Sequence, residues 1–549
     1  MNIDTFLSSR YLAGNPLKSC EKESCDILVI GGGIAGLTAS IAAAEAGVKV
    51  ILVTKDSLEE SNSYYAQGGI AAVFDVSDSI DLHIKDTLDT GRGLADPDVV
   101  REVVTQGPQA IQRLIQWGSA FDSKNGELLL SKEGGHSAPR VVHSQDMTGK
   151  EIQRAMIAKV RSIKNVRVHP LHFALDLLTE GNECVGALLW RKDKGFLQIR
   201  AGNTILVTGG AGHVYRETTN PEIATGDGIA MAYRAGAVMR DMEFFQFHPT
   251  ILYLAGSSRV LISETARGEG GILRDRYGYR FMPDYHPKAE LAPRDEVSRA
   301  ILAQMAATQY THVFLDVTHL DSAFLHERFP NILNICSSYE IDITKDYIPV
   351  RPAAHYCIGG VQIDLDGRTS VHRLYAAGEV SSSRLHGANR LGSNSLLEGV
   401  VFGWRAAQAA VDELPRSGRR SSATLPYPVA GSTTRMQPDI QDFRNSVKSL
   451  MSRCVGIERT RAELLEASEQ LDLWSRLVFR VHFDTPAAWE LCNMLTVARL
   501  ISAGALGREE SRGVHYRLDF PERDDRRWNR SQTWVFSHHN NATSKEPHN

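Results

Sequence analysis

The segment Asp26-Ile-Leu-Val-Ile30 is followed directly by Gly31-Gly-Gly-Ile-Ala-Gly36 and then by an alanine-rich run from Leu37 to Ala46. The first run is short and apolar, as in a buried strand, and the last has the composition of a helix. Val48 to Val53 then predicts a second strand. In such a strand–turn–helix unit, the N-terminus of the helix faces the phosphates of a dinucleotide. These segments therefore predict a Rossmann-like α/β dinucleotide-binding domain.

The glycines of this turn have separate predicted roles, although glycines at this spacing also serve ordinary turns. Gly31 permits the tight turn, Gly33 lets the backbone approach a pyrophosphate, and Gly36 lets the helix pack on the strand. An acidic residue that holds a ribose hydroxyl is expected about 20 positions further on, but Thr54-Lys55 stands there. The threonine hydroxyl can still bind ribose. The positions predicted for this end of the site are Gly31, Gly33, Ile34, Ala35, Gly36, Thr54 and Lys55.

The composition limits the class of ligand. The chain has 549 residues, enough for about three to four domains. Its 61 basic and 65 acidic residues are spread along the sequence and give a net charge of −4. Proteins that bind nucleic acid carry a basic patch, so this composition predicts a small-molecule ligand and no nucleic acid. The seven cysteines form no Cys-x-x-Cys pair, so we predict no metal site and a reduced, cytoplasmic environment.

One uncharged stretch, from Ile27 to Ala44, reaches the 18-residue lower limit of a membrane span. Its glycines fit the dinucleotide turn better than a spanning helix. The preceding segment carries Glu21, Glu23 and Asp26, and no small-residue cleavage site follows the run, which argues against a signal peptide. We therefore expect an unprocessed, soluble protein with no membrane contact.

Two later segments resemble returns of the chain to the same site. Thr204-Ile-Leu-Val-Thr-Gly209-Gly210 and Leu374-Tyr-Ala-Ala-Gly378-Glu379 are both apolar runs that end in glycine. Each segment alone is equally consistent with a strand and an ordinary turn. The carboxylate of Glu379 is suited to holding ribitol or ribose hydroxyls. Together and in this order, the segments resemble the FAD-binding domain of the succinate dehydrogenase and fumarate reductase flavoprotein family, which predicts FAD and not NAD as cofactor.

The resemblance runs from Cys25 to about Pro521 and depends on seven motifs, too many to coincide by chance. They are Tyr65-Ala-Gln-Gly-Gly69, Ala224-Thr-Gly-Asp227-Gly, Gln246-Phe-His248-Pro-Thr250, Ser263-Glu264-Thr-Ala-Arg267-Gly-Glu-Gly-Gly271, Pro293-Arg294-Asp295, His355-Tyr-Cys-Ile-Gly-Gly360 and Gly387-Ala-Asn-Arg390-Leu-Gly-Ser-Asn-Ser395-Leu. The further cofactor-binding positions implied by the resemblance are Gln67, Gly68, Gly69, Gly209, Asp227, Glu379, Ser395 and Leu396.

The resemblance implies a discontinuous FAD-binding domain at residues 20–245 and 352–430, with an inserted α+β capping domain at 246–351. A C-terminal helical domain at 431–525 follows. The sequence itself supports that domain, because Ile440, Phe443, Val447, Leu450 and Met451 recur at helical spacing and Glu463 to Leu471 begins a second helix. Residues 526–549, rich in His, Asn and Ser, are predicted to be disordered.

The resemblance also implies a set of residues that clamp a four-carbon dicarboxylate. An arginine can place two donors on a carboxylate, while imidazoles and a hydroxyl add directional hydrogen bonds. Outside these motifs, histidines of this kind are more often structural. The predicted substrate-binding residues of this clamp are Gln246, His248, Ser263, His355 and Arg390.

Three further residues match the catalytic set of the family. Arg294 corresponds to the arginine that donates a proton to the dicarboxylate, and Glu264 and Arg267 correspond to its relay to solvent. The alternative is that Arg294 only binds an anion, because arginine is a poor base unless a neighbouring carboxylate restores its proton.

Two departures from the succinate-oxidising pattern decide the predicted substrate. Asn62 replaces the histidine that carries covalent FAD, so we predict non-covalent FAD, with a lower potential that makes succinate a poorer reductant. Glu133, in Glu133-Gly-Gly-His-Ser137, replaces a phenylalanine, and family members that oxidise aspartate also carry glutamate here. Such a carboxylate can accept a charge-assisted hydrogen bond from a substrate ammonium. The alternative is a solvated glutamate beside Lys132.

The predicted activity is therefore oxidation of L-aspartate to iminoaspartate, with O2 (giving H2O2) or fumarate reoxidising the flavin. The resemblance makes this the first step towards quinolinate and NAD, with quinolinate synthase consuming the imine. Three alternatives stay open. They are a soluble fumarate reductase, a succinate dehydrogenase flavoprotein subunit with an iron–sulfur partner in a membrane complex, and a flavin-dependent tRNA-modifying protein.

Overall fold

The computed structural model describes residues 11–13, 20–254, 260–414, 438–481 and 483–536. Strands and helices are numbered separately in chain order. The strands are β1 (Glu21–Ile30), β2 (Val50–Val53), β3 (Ile70–Ala71), β4 (Ser123–Lys124), β5 (Glu127–Leu128), β6 (Leu130–Ser131), β7 (Val141–Val142), β8 (Val166–His169), β9 (His172–Glu180), β10 (Glu183–Arg191), β11 (Gly195–Leu206), β12 (Met239–Arg240), β13 (Phe245–Leu252), β14 (Ile272–Arg274), β15 (Val313–Asp316), β16 (Ile348–Cys357), β17 (Gly360–Gln362), β18 (Leu374–Ala376), β19 (Ser381–Ser382), β20 (Glu458–Arg459), β21 (Tyr516–Arg517) and β22 (Thr533–Trp534).

The helices connect these strands and form the C-terminal part of the described chain. They are α1 (Ile34–Glu45), α2 (Ile80–Thr90), α3 (Pro97–Thr105), α4 (Gly107–Gln116), α5 (Thr148–Ser162), α6 (Asp227–Arg234), α7 (Glu264–Gly268), α8 (Met282–Tyr285), α9 (Arg294–Thr308), α10 (Ser322–Arg328), α11 (Pro330–Ser337), α12 (Asn394–Asp412), α13 (Ile440–Cys454), α14 (Arg461–Val478), α15 (Pro486–Gly507) and α16 (Asp525–Trp528).

The largest sheet has the strand order β8-β2-β1-β11-β10-β9, with β18 paired to β11. Five strands of this sheet pair in parallel: β8 with β2, β2 with β1, β1 with β11, and β11 with β18. β10 pairs antiparallel with β9 and β11. Because parallel strands end at the same edge, the turns after β1, β2, β11 and β18 meet there. β1 begins at Glu21, earlier than predicted, because its ladder with β11 begins there. β18 joins the sheet from the second half of the predicted discontinuous domain.

The capping region contains a second, antiparallel sheet of order β13-β16-β15-β14. Its helices and strands enclose a separate hydrophobic core that includes Leu273, Phe281, Val297 and Leu315. The predicted boundaries at 246 and 351 fall inside or next to β13 and β16, which carry the chain into and out of this region. These two strands therefore bring cap residues and cavity residues onto the same sheet.

The two helices predicted in the C-terminal region are present as α13 and α14. α13 buries Val447, Leu450 and Met451, as the spacing predicts. Thr460 caps α14, since its Oγ1 accepts a hydrogen bond from the Glu463 amide at 3.3 Å and its hydroxyl donates to the Glu463 carboxylate at 2.8 Å. The 22-residue α15, which the sequence reading did not single out, is buried over most of its length.

The prediction of disorder from residue 526 is wrong for the residues up to 536. α16 extends to Trp528, and β22 pairs antiparallel with β12. Trp528 and Phe536 are buried, so apolar burial and strand pairing order a segment whose overall composition is polar. The predicted tail beyond 536, and residues 415–437 at the predicted junction of the FAD-binding and helical domains, lie outside the described residues. Within the described ranges, no helix has the length and apolar character needed to span a bilayer.

Candidate active site

One cavity of about 760 Å³ is lined both by the glycine turn after β1 and by residues of the cap. The predicted cofactor positions that line it are Gly31, Gly33, Ile34, Ala35, Thr54, Lys55, Gln67, Gly68, Gly69, Gly209, Asp227, Glu379, Ser395 and Leu396. The predicted substrate and catalytic positions that line it are Glu133, His248, Ser263, Glu264, Arg294, His355 and Arg390. The structure therefore brings residues from every quoted motif to one space.

The turn between β1 and α1 leaves room for an anion at the helix N-terminus. Gly31 has φ +123°, and a Cβ there would lie 2.1 Å from the Val207 carbonyl oxygen. Gly36 does not line the cavity, and a Cβ there would lie 2.0 Å from the Gly31 carbonyl oxygen, in agreement with the predicted packing role. The N-cap residue, Gly33, has no side chain to cap the helix, the Ile34 amide donates to the Ser63 hydroxyl at 3.1 Å, and the first turn of α1 carries no acidic residue. Backbone amides at such a helix end attract phosphate groups.

The predicted ribose position, Thr54-Lys55, is occupied by protein contacts. The Thr54 hydroxyl donates to the Asp56 carbonyl at 2.6 Å. The Lys55 ammonium donates to Asp227 at 2.8 Å and pairs with Glu490 of α15 at 2.5 Å. Burial lowers the Lys55 pKa, but the two carboxylates outweigh it and raise the pKa overall. Lys55 and Asp227 thus line the cavity while binding each other, and they tie α15 to the dinucleotide region.

Asn62 and Glu379 also line this cavity and contact each other. The Asn62 amide donates to Glu379 Oε2 at 2.8 Å, and the Cys357 backbone amide donates to Oε1 at 3.0 Å. Burial raises the Glu379 pKa. The side-chain oxygens of Asn62 and Gln67 are buried without a hydrogen-bond partner among the described residues. Buried polar atoms are normally satisfied, so these two oxygens are available to the N–H groups of a bound cofactor. The N-terminus of α1, the glycine turn and these acceptors fit FAD.

At the cap end, two guanidinium groups share one amide acceptor. Arg294, the first residue of α9, donates to Gln246 Oε1 at 3.3 Å, and Arg390 donates to the same atom at 3.1 Å. Gln246 also donates to the Arg390 carbonyl at 2.9 Å. Gln246 does not line the cavity and bridges the two arginines, and its direct contact with substrate stays a prediction. Two cations held this close favour a dianionic ligand between them.

The environment of Arg390 strengthens this preference. Its guanidinium lies 4.0 Å from the centre of the Tyr356 ring and donates to the Ser395 hydroxyl at 2.7 Å. Burial, followed by the charge of Arg294, lowers the Arg390 pKa to about 10. No carboxylate of the described residues pairs with Arg390 within 4 Å. A bound carboxylate would supply the missing anion.

His248 and His355 lie side by side, with ring centres 5.1 Å apart. Nδ1 of His248 contacts the Thr250 backbone, and Nδ1 of His355 lies 2.7 Å from the Thr219 hydroxyl. Burial holds the pKa of both histidines well below its usual range, followed by Arg294 for His248 and by Arg390 for His355. Both imidazoles are therefore neutral and present Nε2 for hydrogen bonding.

Arg294, Glu264 and Arg267 form a contiguous row. Glu264 accepts from Arg294 Nε at 2.7 Å and lies 3.4 Å from Arg267 Nη2. Burial raises the Glu264 pKa, but the two guanidiniums outweigh it and lower the pKa overall. Arg267 does not line the cavity, donates to the Glu290 carbonyl at 2.6 Å and is only 1% exposed. The row has the order predicted for a relay, but its outer member is buried. Ser263 caps the short helix that carries Glu264 and Arg267.

Glu133 is 2% exposed, so the alternative of a solvated glutamate is wrong. Its Oε2 accepts from the Ser393 hydroxyl at 2.7 Å, and its Oε1 lies 3.4 Å from the Thr265 hydroxyl. Burial and the nearby Glu264 raise the Glu133 pKa. No cation of the described residues forms an ion pair with it. Glu133 is thus a buried carboxylate that faces the cavity and has room for a cationic partner.

Three site residues were missed by sequence reasoning. Tyr356 and Ser393 stand inside quoted motifs, next to His355 and between Arg390 and Ser395, so the motifs contained them without assigning a role. Thr219 carries no comparable signal, because its contact with His355 joins residues 136 positions apart. Among the described residues, no group of three or more His, Cys, Asp or Glu side chains is arranged to hold a metal ion.

Comparison with known proteins identifies two family models along the chain. Residues 26–396 match an FAD-binding domain family, and residues 444–548 match the C-terminal family of fumarate reductase flavoproteins. Together they extend over most of the chain and agree with the resemblance noted in the motifs.

Relatives match over nearly the full length. The chain is 42% identical to L-aspartate oxidase 2-a, chloroplastic, of Nicotiana tabacum, covering 92% of this chain and 84% of the relative. It is 41% identical to L-aspartate oxidase of Streptomyces coelicolor, covering 92% and 90%. Among solved structures, an E. coli quinol fumarate reductase flavoprotein superposes with a TM-score of 0.88 at 34% identity, covering 93% and 94%. The predicted family resemblance is confirmed.

Proposed function

We infer that this chain, which belongs to the L-aspartate oxidases of the succinate dehydrogenase and fumarate reductase flavoprotein family, oxidises L-aspartate to iminoaspartate with FAD as cofactor. The observation that carries the choice of substrate is the buried Glu133, which lines the same cavity as Arg294 and Arg390. A four-carbon dicarboxylate satisfies the arginines, and an α-ammonium satisfies Glu133. Aspartate is the simplest molecule that has both.

The clamp acts mainly through charge and direction. Arg390, held by Gln246 and the ring of Tyr356, offers a fork of donors to one carboxylate. The neutral His248 and His355 add hydrogen bonds from Nε2 without competing for protons at ordinary pH. Ser263 supplies a hydroxyl at the same wall. Orientation by several fixed groups is worth several powers of ten in rate, because the reacting atoms are already aligned.

Glu133 distinguishes aspartate from succinate in this proposal. Its carboxylate receives the ammonium through a charge-assisted hydrogen bond, while Ser393 and Thr265 hold it from the other side. Succinate and fumarate bring no group that compensates a buried negative charge. The aspartate ammonium would therefore be oriented at one end of the clamp, and the α-carbon would be fixed with it.

FAD, when bound, supplies the two-electron oxidant that takes the hydride from the α-carbon of the substrate. The protein must orient that carbon and accept the proton that the substrate ammonium loses as the C=N bond forms. Arg294 uses Nε for Glu264 and Nη1 for Gln246, which leaves Nη2 as the nitrogen without a described bond. A proton taken or given at that nitrogen can be balanced by Glu264, 2.7 Å from Nε. We therefore assign Arg294 the proton role, with Glu264 restoring its charge state and Arg267 holding Glu264.

Reoxidation completes the cycle with O2, which yields H2O2, or with fumarate, which yields succinate. The same clamp that binds aspartate suits fumarate, and the E. coli quinol fumarate reductase has a similar fold. Iminoaspartate is unstable and is the compound that quinolinate synthase consumes. The proposed reaction is thus the first step of quinolinate and NAD biosynthesis.

We further propose that FAD is bound without a covalent link. Asn62 stands where covalently flavinylated relatives carry a histidine, and its amide is engaged with Glu379. Asparagine has no nucleophilic nitrogen suited to forming that link. Acid precipitation of the purified protein should release all the yellow colour into the supernatant. Flavin that stays with the pellet would contradict the proposal.

The decisive experiment is anaerobic titration of the purified holoprotein with L-aspartate or with succinate. We expect aspartate to bleach the flavin absorbance near its long-wavelength maximum and succinate to leave it almost unchanged. Bleaching by succinate alone would favour the second candidate, a succinate dehydrogenase or fumarate reductase activity, which the shared fold supports. Bleaching by neither ligand would contradict the proposed oxidation of aspartate.

A further inference from the structure

The motif Glu133-Gly-Gly-His136-Ser137 contains a histidine to which the proposed reaction gives no role. His136 is 4% exposed and does not line the cavity. Its Nε2 lies 3.0 Å from the carbonyl oxygen of Gly392, and its Nδ1 lies 3.1 Å from Arg140 Nη1. It therefore contacts the loop that carries the clamp residues from behind.

The hydrogen-bond partners of His136 determine which ring nitrogen carries the proton. A guanidinium can only donate, so Nδ1 must accept from Arg140 and the ring proton must sit on Nε2. Arg140 is itself immobile, because it is fully buried and makes a two-point contact with Asp78, each bond 2.8 Å long, as well as a 2.5 Å bond to Asp86. Burial and then Arg140 lower the His136 pKa to about 4. His136 is thus a neutral donor to the Gly392 carbonyl under ordinary assay conditions.

The peptide that receives this bond precedes an unusual backbone conformation. Ser393 adopts φ +61° and ψ −1°, the left-handed region that disfavours residues with a side chain. His136 holds the carbonyl before Ser393, and the Ala71 amide holds the Ser393 carbonyl at 3.0 Å. Since φ and ψ are set by the orientations of these two peptide planes, the two bonds together define the conformation of Ser393.

This conformation points the Ser393 hydroxyl at Glu133. The hydroxyl donates to Glu133 Oε2 at 2.7 Å. Without the bond from His136, the peptide between Gly392 and Ser393 could rotate to relieve the left-handed strain, and the hydroxyl would turn away from Glu133. Arg390 would be affected less, because Gln246 and the Tyr356 ring hold it independently.

We propose that His136 is a positioning residue that selects for the amino group of the substrate without touching it. It does so by holding Ser393 in the conformation that aligns Glu133. The same short motif thus supplies both the carboxylate that receives the ammonium and the histidine that fixes the partner of that carboxylate. The inference depends on the proposed function, since it assumes that an ammonium binds at Glu133.

The test uses the FAD-loaded full-length protein. Anaerobic stopped-flow reduction by L-aspartate gives the substrate dissociation constant and the limiting rate, and the spectral shift of the flavin with succinate gives the succinate dissociation constant. His136→Leu should raise the aspartate constant by about 10-fold or more, the scale of one lost charge-assisted interaction. The succinate constant and the limiting rate should stay within about threefold. His136→Gln should restore aspartate binding, because its amide can donate to the Gly392 carbonyl.

A double-mutant comparison separates a specific effect of His136 on Ser393 from a general loss of packing. Ser393→Ala removes the hydroxyl on which His136 is proposed to act, so adding His136→Leu to it should weaken aspartate binding no further. Additive losses, or equal losses for aspartate and succinate, would overturn the proposal. If His136→Leu does not retain FAD, His136→Asn replaces it: its shorter amide should lose aspartate selectivity while His136→Gln keeps it, and identical behaviour of the two would overturn the proposal.

His515 provides a matched control. It is also fully buried, its Nδ1 accepts from Arg459 at 2.8 Å, and its Nε2 lies 3.1 Å from the Arg508 carbonyl. His515→Leu should lower the Tm without changing the ratio of the aspartate and succinate dissociation constants. If His515→Leu changed that ratio as much as His136→Leu does, the result would contradict the proposed role of His136. A wild-type flavin that aspartate fails to reduce would refute the proposed function instead.

Discussion

The two ends of the cavity are built in different ways. The dinucleotide end is made largely of backbone, with the turn at Gly31 and the N-terminus of α1, where the Ile34 amide donates to the Ser63 hydroxyl at 3.1 Å. The dicarboxylate end is made of charged and polar side chains from β13, α7, α9, β16 and the loop before α12. The first end depends on the absence of side chains and the second on their electrostatic balance.

This difference shows why one cavity can combine a common cofactor with a selective substrate. Backbone amides at a helix end bind phosphate whatever the rest of the ligand is, so the cradle is insensitive to the reaction. At the cap end Glu264 and Arg294 pair with each other, whereas the buried Glu133 and Arg390 have no ion-pair partner among the described residues, so a ligand of matching charge pattern is favoured. Variants at the dinucleotide end should therefore weaken FAD binding, whereas variants at the dicarboxylate end should change substrate binding or turnover.

The largest change in the rate of flavin reduction is expected for substitutions of Arg294. Arg294→Leu should leave FAD bound, because no part of the cradle changes, but should slow anaerobic flavin reduction by aspartate by about 10³-fold or more. Substrate dissociation should change far less, since His248, His355 and Arg390 remain. Arg294→Lys keeps the charge but not the planar fork or the high pKa, so it should also fail severely.

The rate of fumarate reduction by the Arg294 variants distinguishes a proton carrier from a residue that only binds an anion. If it is the shared proton carrier, fumarate reduction falls in parallel with aspartate oxidation. A variant that reduces fumarate normally would show that Arg294 only binds an anion. Arg274→Leu is the control, because Arg274 pairs with Asp316 at 2.7 Å in the cap without lining the cavity. Its reduction rate should stay close to that of the wild type.

The next effect is expected at the cradle. Gly31→Ala forces a Cβ against the Val207 carbonyl at a backbone angle that alanine avoids, so the turn must move. We expect the FAD dissociation constant to rise by roughly 100-fold, for a combined strain and clash of about 3 kcal/mol. Fluorescence of released flavin during dilution measures it.

Gly47→Ala is the matched change at the other end of α1. Gly47 also has a positive φ, +87°, but a Cβ there meets nothing within 4 Å. This variant should lose some thermal stability and keep its FAD affinity. Loss of FAD in both variants would mean that helix stability, and not the shape of the turn, determines cofactor binding.

A smaller, selective effect is expected at Glu133. Glu133→Gln keeps the size and the contact with Ser393 but removes the charge. The aspartate Michaelis constant should rise by roughly 10- to 150-fold, which corresponds to about 1.5 to 3 kcal/mol for a hydrogen bond to a charged group. Succinate, measured as an inhibitor, should bind no worse, because a repulsive carboxylate is gone. Equal losses for both ligands would assign Glu133 a structural role.

The smallest effect is a difference in pH dependence. Burial and Glu264 raise the Glu133 pKa, so its protonation begins at a higher pH than for an ordinary glutamate. As the pH falls, aspartate should bind more weakly, by at most about tenfold per pH unit for one proton, while succinate binding should stay level or improve. Burial holds the pKa values of His248 and His355 well below the usual histidine range, so these histidines protonate only at a lower pH than an ordinary histidine. A Glu133→Gln protein that keeps the aspartate slope would contradict this assignment.

The sequence by itself determined the glycine turn and named the residues that we propose for the clamp. β1, the glycine turn and α1 lie within 25 consecutive residues, and their apolar pattern and backbone requirements are local, so a short motif specifies them. The motifs also named Glu133, Arg294, His248, His355 and Arg390, because each stands at a fixed place in a recognisable segment. The helices α13 and α14 could be predicted for the same reason, because apolar periodicity and capping residues are local signals.

Only the tertiary structure decided how these residues are charged and oriented. The sequence leaves a solvated glutamate open as the alternative for Glu133 until its burial beside Glu264 is known, and only the fold shows that Arg294 and Arg390 share the amide oxygen of Gln246. Lys55 binds Asp227 and Glu490, which are more than 170 and 430 residues away. Burial and pairing arise from packing between distant segments, and no local pattern encodes them. The residue types are therefore set by the sequence, whereas their protonation and alignment are set by the fold.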